Sequence, residues 1–167
     1  VAELLDIIAA YGPSPAYARK QTLNDQGGVE DHEVDLAEPL TAQVFKIMSD
    51  EFVGKVSFIR VFEGVLKGGD TVVLANSGRA VKLPKLFRPQ GKEQKEINEA
   101  EAGAIVATAK VEELHVGDTL VATKGQRPFV RPHYPMPMVT RAVEPKTRGD
   151  EAKISEGLRR LAEADPT

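Results

Sequence analysis

Cysteine and tryptophan are both missing from this chain of 167 residues. Without cysteine there are no disulfides and no thiolate metal sites, and a reducing compartment is compatible. Aromatic residues make up only 5%, so a core must be packed by Val, Leu, Ile and Ala. No apolar run reaches the roughly 18–20 residues that a membrane helix needs. Val1 to Ala10 is apolar but has no basic leader and carries Glu3 and Asp6, so it is not a signal peptide. An initiator methionine is absent, and the chain stops abruptly at Asp165-Pro166-Thr167. Both lead us to expect a piece of a longer chain. The phosphate loop G-x-x-x-x-G-K-S/T is also missing. Without its cradle of backbone N–H groups and its lysine, tight nucleotide binding has no physical basis. There is no G-x-S-x-G, and the scattered Ser, His and Asp residues make no nucleophile set. His32, His115 and His133 lie far apart without a His-x-x-x-His spacing, which argues against zinc. Glu112-Glu113 would point to opposite faces if extended, which suits a solvated turn better than a shared catalytic role.

What is present reads as strands. Leu40 to Met48 and Val53 to Glu63 are rich in Val, Phe and Ile, as strands favour. Asp50 and Gly54 bracket a tight connection between them. Further strands are expected at 71–75, 79–87, 103–109 and 118–122. Asn76-Ser77-Gly78 marks a hairpin turn, and Pro84 places the fourth strand at an edge or a bulge. Short strands at this spacing predict a mainly β fold, a small antiparallel β-barrel over 39–123. Val1 to Tyr11 predicts a helix, stopped by Gly12-Pro13-Ser14-Pro15. Residues 16–38 and 124–134 read as linkers, the first acidic and in part mobile. Pro135 to Glu144 predicts an extended strand. Gly149 to Ala164 predicts an amphipathic helix with Ile154, Leu158 and Leu161 on its apolar stripe.

The net charge is −3, so any nucleic-acid surface must be local. Its uneven distribution identifies one place. Between Lys20 and Lys46 there are acids but no Lys or Arg; between Asp70 and Glu93 there are Arg79, Lys82, Lys85, Arg88 and Lys92 but no acid. On a continuous strand Arg79 and Lys85 would share one face, Lys82 and Arg88 the other.

The run Ala42, Phe45, Lys46, Ile47, Asp50, Val53, Gly54, Phe58, Arg60, Val61, Gly64 and Leu66 resembles the second domain of translation elongation factor G and its close relatives. Glu99-x-x-x-Gly103 and Gly117-Asp118-Thr119-Leu120 continue the likeness. Leu4-Leu5-Asp6 with Pro13-Ser14-Pro15 resembles the end of that family's GTP-binding domain (1–15 here). Ala142-Val143-Glu144-Pro145-Lys146 and Arg160-Leu161-Ala162-Glu163 resemble the start of its ferredoxin-like third domain (135–167). Phe87-Arg88-Pro89-Gln90-Gly91-Lys92 and Leu114-His115-Val116 depart from the standard factor and point to an elongation-factor-G-like paralogue.

The resemblance implies a ribosome-binding, cytoplasmic portion of a translational GTPase. Its parent would use GTP and magnesium, while this portion holds no cofactor, lacks the N-K-x-D guanine reader and should be inactive alone. Small-subunit RNA would be met by Arg79, Lys82, Lys85, Arg88 and Lys92. The GTPase domain would be faced by Asp50, Phe52, Val53, Gly54 and Lys55, although turn chemistry alone also explains Asp50 and Gly54. The first helix would have lost its partner surface, and the C-terminal strand and helix would be disordered, docked on the barrel or exchanged with a neighbour, since such a pair buries no core unaided. Three rivals stand beside this reading. One is a tetracycline-resistance or release-type ribosomal GTPase. Another is an independent RNA-binding barrel. The third is a flavin-reductase barrel, for which residues 39–123 show neither an aromatic-rich pocket nor an R-x-x-S/T signature.

Overall fold

A computed structural model of the chain describes residues 1–50, 53–91 and 93–165. The elements in chain order are α1 (Ala2–Tyr11), β1 (Arg19–Leu23), β2 (Val29–Glu33), β3 (Thr41–Asp50), β4 (Gly54–Glu63), β5 (Val65–Lys67) and β6 (Thr71–Leu74). They continue with β7 (Ala80–Lys82), β8 (Leu86–Gln90), β9 (Glu93–Ile97), β10 (Glu99–Glu101), β11 (Ile105–Ala109), β12 (Thr119–Val121) and α2 (Glu151–Ala164).

Eight strands form one antiparallel sheet in the order β7-β6-β12-β3-β4-β11-β8-β9. It curls into a barrel-like shape without closing into a continuous ladder. Its two ends are drawn together across the β7–β8 connection, where Leu83 N–H donates to Asp70 O (2.9 Å) and Gly69 N–H to Leu83 O (2.8 Å). A short β5–β10 pair covers part of the opening. The interior is aliphatic: Val44, Ile59, Val61, Leu66, Leu83, Leu86, Val106, Leu114 and Leu120 are all fully buried. This is the packing that a chain without tryptophan must adopt. A smaller apolar cluster of Val56, Ala107 and Ala109, with Val53, Phe58 and Phe87 against it, lies apart from that core.

The β3–β4 hairpin carries the longest ladder. Its register shifts between Val44 and Lys46, so Phe45 is the extra residue of a bulge. A bulge kinks the strand and sharpens its twist, and here it leaves Phe45 45% exposed.

Both stretches read as linkers contain ordered backbone, and they order each other. β1 and β2 form a hairpin whose turn is built by Asn24, with Oδ1 accepting from Gln26 N–H (3.1 Å) and Gly28 N–H (2.7 Å). The later stretch lies along β1: Leu23 N–H donates to Pro128 O (2.9 Å) and Val130 N–H to Gln21 O (2.7 Å). Phe129, 1% exposed, is the apolar anchor. Acidic composition hid the hairpin because its side chains are mostly exposed while its backbone is paired.

Pro135 to Glu144, expected as a strand, takes part in no ladder among the described residues. Pro135 and Pro137 lack the N–H that a ladder needs. α1 carries Leu4, Leu5, Ile7 and Ile8 more than half exposed. Of the three fates open to the C-terminal helix, α2 takes the second and docks against β3.

Candidate nucleic-acid interface

Arg79 follows the β6–β7 turn, where Gly78 (φ 69°) donates to Leu74 O at 2.7 Å and Ser77 Oγ accepts from Arg79 N–H at 3.4 Å. Asn76, at the same tip, is committed to the fold: its Oδ1 accepts from Thr119 N–H at 3.1 Å. The strand does not run on from Arg79 to Arg88. It breaks at Leu83-Pro84-Lys85, where proline has no N–H to give a ladder. Leu83 and Leu86 are three residues apart, yet both enter the core. Alternation therefore resets across the break, and the expected division into Arg79/Lys85 and Lys82/Arg88 faces does not hold.

Arg79, Lys82, Lys85 and Arg88 are all exposed. Lys85 is taken up by Glu96 at 2.9 Å. Arg79, Lys82 and Arg88 meet no carboxylate among the described residues. Lys82 lines a shallow depression with Pro84, Lys110 and Glu113, and Arg88 is paired in register with Lys95. Lys95 and Lys110 are thus two cations that the sequence reading missed, because each comes from a segment that also contains acids. Lys92 lies outside the described residues.

The β3–β4 tip is a second assembly. Asp50 Oδ1 accepts from Val53 N–H at 2.8 Å, and Gly54 has φ 84°. Val53 is half-buried; Phe52 lies outside the described residues. Lys55 has a side chain only 7% exposed, and its ammonium meets Glu163 of α2 at 3.0 Å and donates to Glu112 O at 2.9 Å. The hydrogen bond from Lys55 holds the Glu163 carboxyl below the usual carboxylate range. Arg159 bridges Glu163 and Glu156, each at 3.1 Å. So α2 reaches the barrel by its charged edge, while Leu158 (48% exposed) and Leu161 (66%) stay in solvent.

Gly117-Asp118-Thr119 serves the clasp around Phe129. Asp118, buried, accepts from His115 N–H (2.9 Å) and from Arg131 Nη2 (2.6 Å). Thr119 Oγ1 accepts from Phe129 N–H at 2.9 Å. Among the described residues no group of His, Asp and Glu is arranged to hold a metal ion, and no helix is long and apolar enough to cross a membrane.

A curled antiparallel sheet with cations at its rim, followed by a strandless segment and a docked helix, is the class of architecture found in the barrel domains of translation factors. Comparison supports it. Residues 39–123 match the family described as elongation factor G domain 2, and residues 134–167 match elongation factor G, domain III. An elongation factor G-like protein of Thermotoga maritima is 39% identical over 165 residues, covering 98% of this chain and 24% of that protein. A crystal structure of a Thermus thermophilus protein superposes with a TM-score of 0.75 at 36% identity, covering 99% of this chain and 23% of that one. The chain belongs to the elongation factor G family. It spans about a quarter of the length of these relatives.

Proposed function

We propose that this chain is the ribosome-binding middle portion of a cytoplasmic, elongation-factor-G-like translational GTPase, with the barrel as a rigid adaptor. The family match favours it over the resistance-factor, release-factor, RNA-module and flavin-reductase rivals. The observation that carries the RNA contact is the set of exposed cations left without a carboxylate: Arg79, Lys82 and Arg88, with Lys95 and Lys110 beside them. Such contacts to phosphate position a protein on RNA rather than read its sequence. Lys85, paired with Glu96, contributes less.

The parent would use GTP and magnesium, but the residues present here do not fit that pair: there is no phosphate loop and no metal-ligating cluster among the described residues. Catalysis therefore belongs elsewhere in the parent. The barrel's part is to present contacts that differ between the parent's nucleotide states, since only differential contacts move an equilibrium. Co-sedimentation with small ribosomal subunits at low salt tests this. The chain should pellet with subunits, and the combined Arg79→Gln, Lys82→Gln and Arg88→Gln variant should lose most of that binding. Undiminished pelleting of the triple variant would refute the basic rim as the contact.

A further inference from the structure

One more surface combines charge with an open apolar floor. Gln43, Arg60 and Ile105 form a cross-strand row on β3, β4 and β11. Phe62 and the bulged Phe45 lie beside it, and Lys20 reaches over from β1. Phe45 and Ile105 are each 45% exposed. The Lys20 ammonium sits 4.9 Å from the Phe62 ring centre and donates to Gln43 Oε1 at 3.0 Å. Lys20 and Arg60 are both half-buried, yet neither meets a carboxylate among the described residues, and none lines the pocket. Lys55 shows what the fold does elsewhere with a buried ammonium: it supplies Glu163. Here it supplies no anion, and burial alone pushes the Lys20 ammonium pKa down.

Cations drawn out of water without a partner favour an anionic ligand. The exposed ring and the isoleucine favour a flat apolar body next to that anion. A phosphorylated nucleoside offers both at once, whereas an acidic side chain offers only the charge. Lys46, exposed beside Phe45, extends the cationic rim along the path a backbone would take. We propose that the Phe45–Arg60–Lys20 surface is a second RNA subsite, which takes an unstacked base of a single-stranded segment against Phe45 and Ile105 and its phosphate at Lys20 and Arg60. This rests on the ribosomal reading above and adds a stacking contact to it.

The test is fluorescence anisotropy of a labelled single-stranded RNA decamer with the whole chain, at two salt concentrations, each variant checked by thermal melting. Phe45→Ala should weaken binding by about tenfold, as loss of one stacked base does. Phe45→Leu, which keeps an apolar side chain there, should lose nearly as much. Arg60→Gln should weaken binding and lower the salt slope by about one. The Arg79→Gln, Lys82→Gln pair is the separating arm. If that pair abolishes binding while both Phe45 variants bind like the parent chain, the subsite is overturned and the basic rim stands. If the Phe45 variants fail and the pair does not, the subsite stands and the rim falls. No binding of the decamer at low salt, or its displacement by an acidic peptide in a manner indifferent to Phe45, overturns the subsite.

Discussion

Gly64→Ala offers the sharpest test of the packing argument, because a second glycine supplies its control. Gly64 lies between β4 and β5 with φ 65°, and a Cβ there would stand 2.7 Å from Leu40 N and 2.9 Å from Glu38 O. Those atoms are backbone on the approach to β3, so no rotamer change relieves the contact. Gly78, in the β6–β7 turn, has nearly the same φ, 69°, with nothing within 4 Å of a built Cβ. Both alanines suffer the left-handed penalty of about 1–2 kcal/mol, offset by about 0.4–1 kcal/mol from a less flexible unfolded chain. Gly78→Ala should therefore destabilise by about 0.5–1 kcal/mol. Gly64→Ala must add the displacement of a backbone segment, about 1–3 kcal/mol by analogy with overpacked cores, for a total of about 2–4 kcal/mol. At about 2–4 °C per kcal/mol for a chain of this size, its melting temperature should fall by roughly 5–15 °C. With no tryptophan in the chain, urea unfolding followed by far-UV circular dichroism is the suitable assay. Equal midpoint shifts for the two variants would refute the claim that Gly64 is required by space and not only by φ.

Other perturbations address the clasp, the docked helix and the sheet. Asp118→Ala removes a buried carboxylate that receives Arg131 and the His115 amide, and should cost about 2–3 kcal/mol in urea unfolding, with earlier protease cutting near Phe129. The Glu163 carboxyl is held low by Lys55, so its contribution is present above the ordinary carboxylate pKa and is lost as pH falls through its lowered folded value. Chemical shifts of α2 amides should accordingly move to their undocked positions on acidification below about pH 4.5, and Glu163→Gln should undock α2 at neutral pH; a helix whose shifts ignore both would disprove the ionic attachment. The Ser57 hydroxyl is buried with no hydrogen-bond partner, so Ser57→Ala should leave stability unchanged or raise it by about 1 kcal/mol, and a loss larger than that would show a missed partner.

The main sheet was legible because its signals were local. Period-two burial in β4, the Asn76-Ser77-Gly78 turn and the apolar Ile105–Ala109 run each report on their own few residues, and the strands appeared within a residue or two of their expected places. What escaped was pairing between segments distant in sequence. Residues 16–38 and 124–134 look like linkers singly, and their order comes from Leu23 to Pro128 and Gln21 to Val130 bonds that neither stretch announces alone. A turn signal was nevertheless present: Asn24-Asp25-Gln26-Gly27-Gly28 is the grammar of a hairpin, outweighed in reading by the surrounding acids. The strand expected over Pro135–Glu144 failed for the converse reason: extended composition was there, but a strand needs an edge to join.

The candidate site shows a second limit of linear reading, which concerns charge. Arg79 to Arg88 looked like one basic strand because no acid interrupts it in sequence. In the fold, Pro84 breaks that strand, Glu96 arrives from β9 to take Lys85, and Lys95 and Lys110 arrive to reinforce what remains. Meanwhile Lys20, at the margin of an acidic stretch that argued against any phosphate contact, is placed over Phe62 and beside Arg60 where no carboxylate follows it. Potential at a surface is a sum over neighbours in space, screened beyond about 10 Å. The cations that matter are therefore those the sheet register leaves without a counter-charge, and register was the one quantity that composition does not carry.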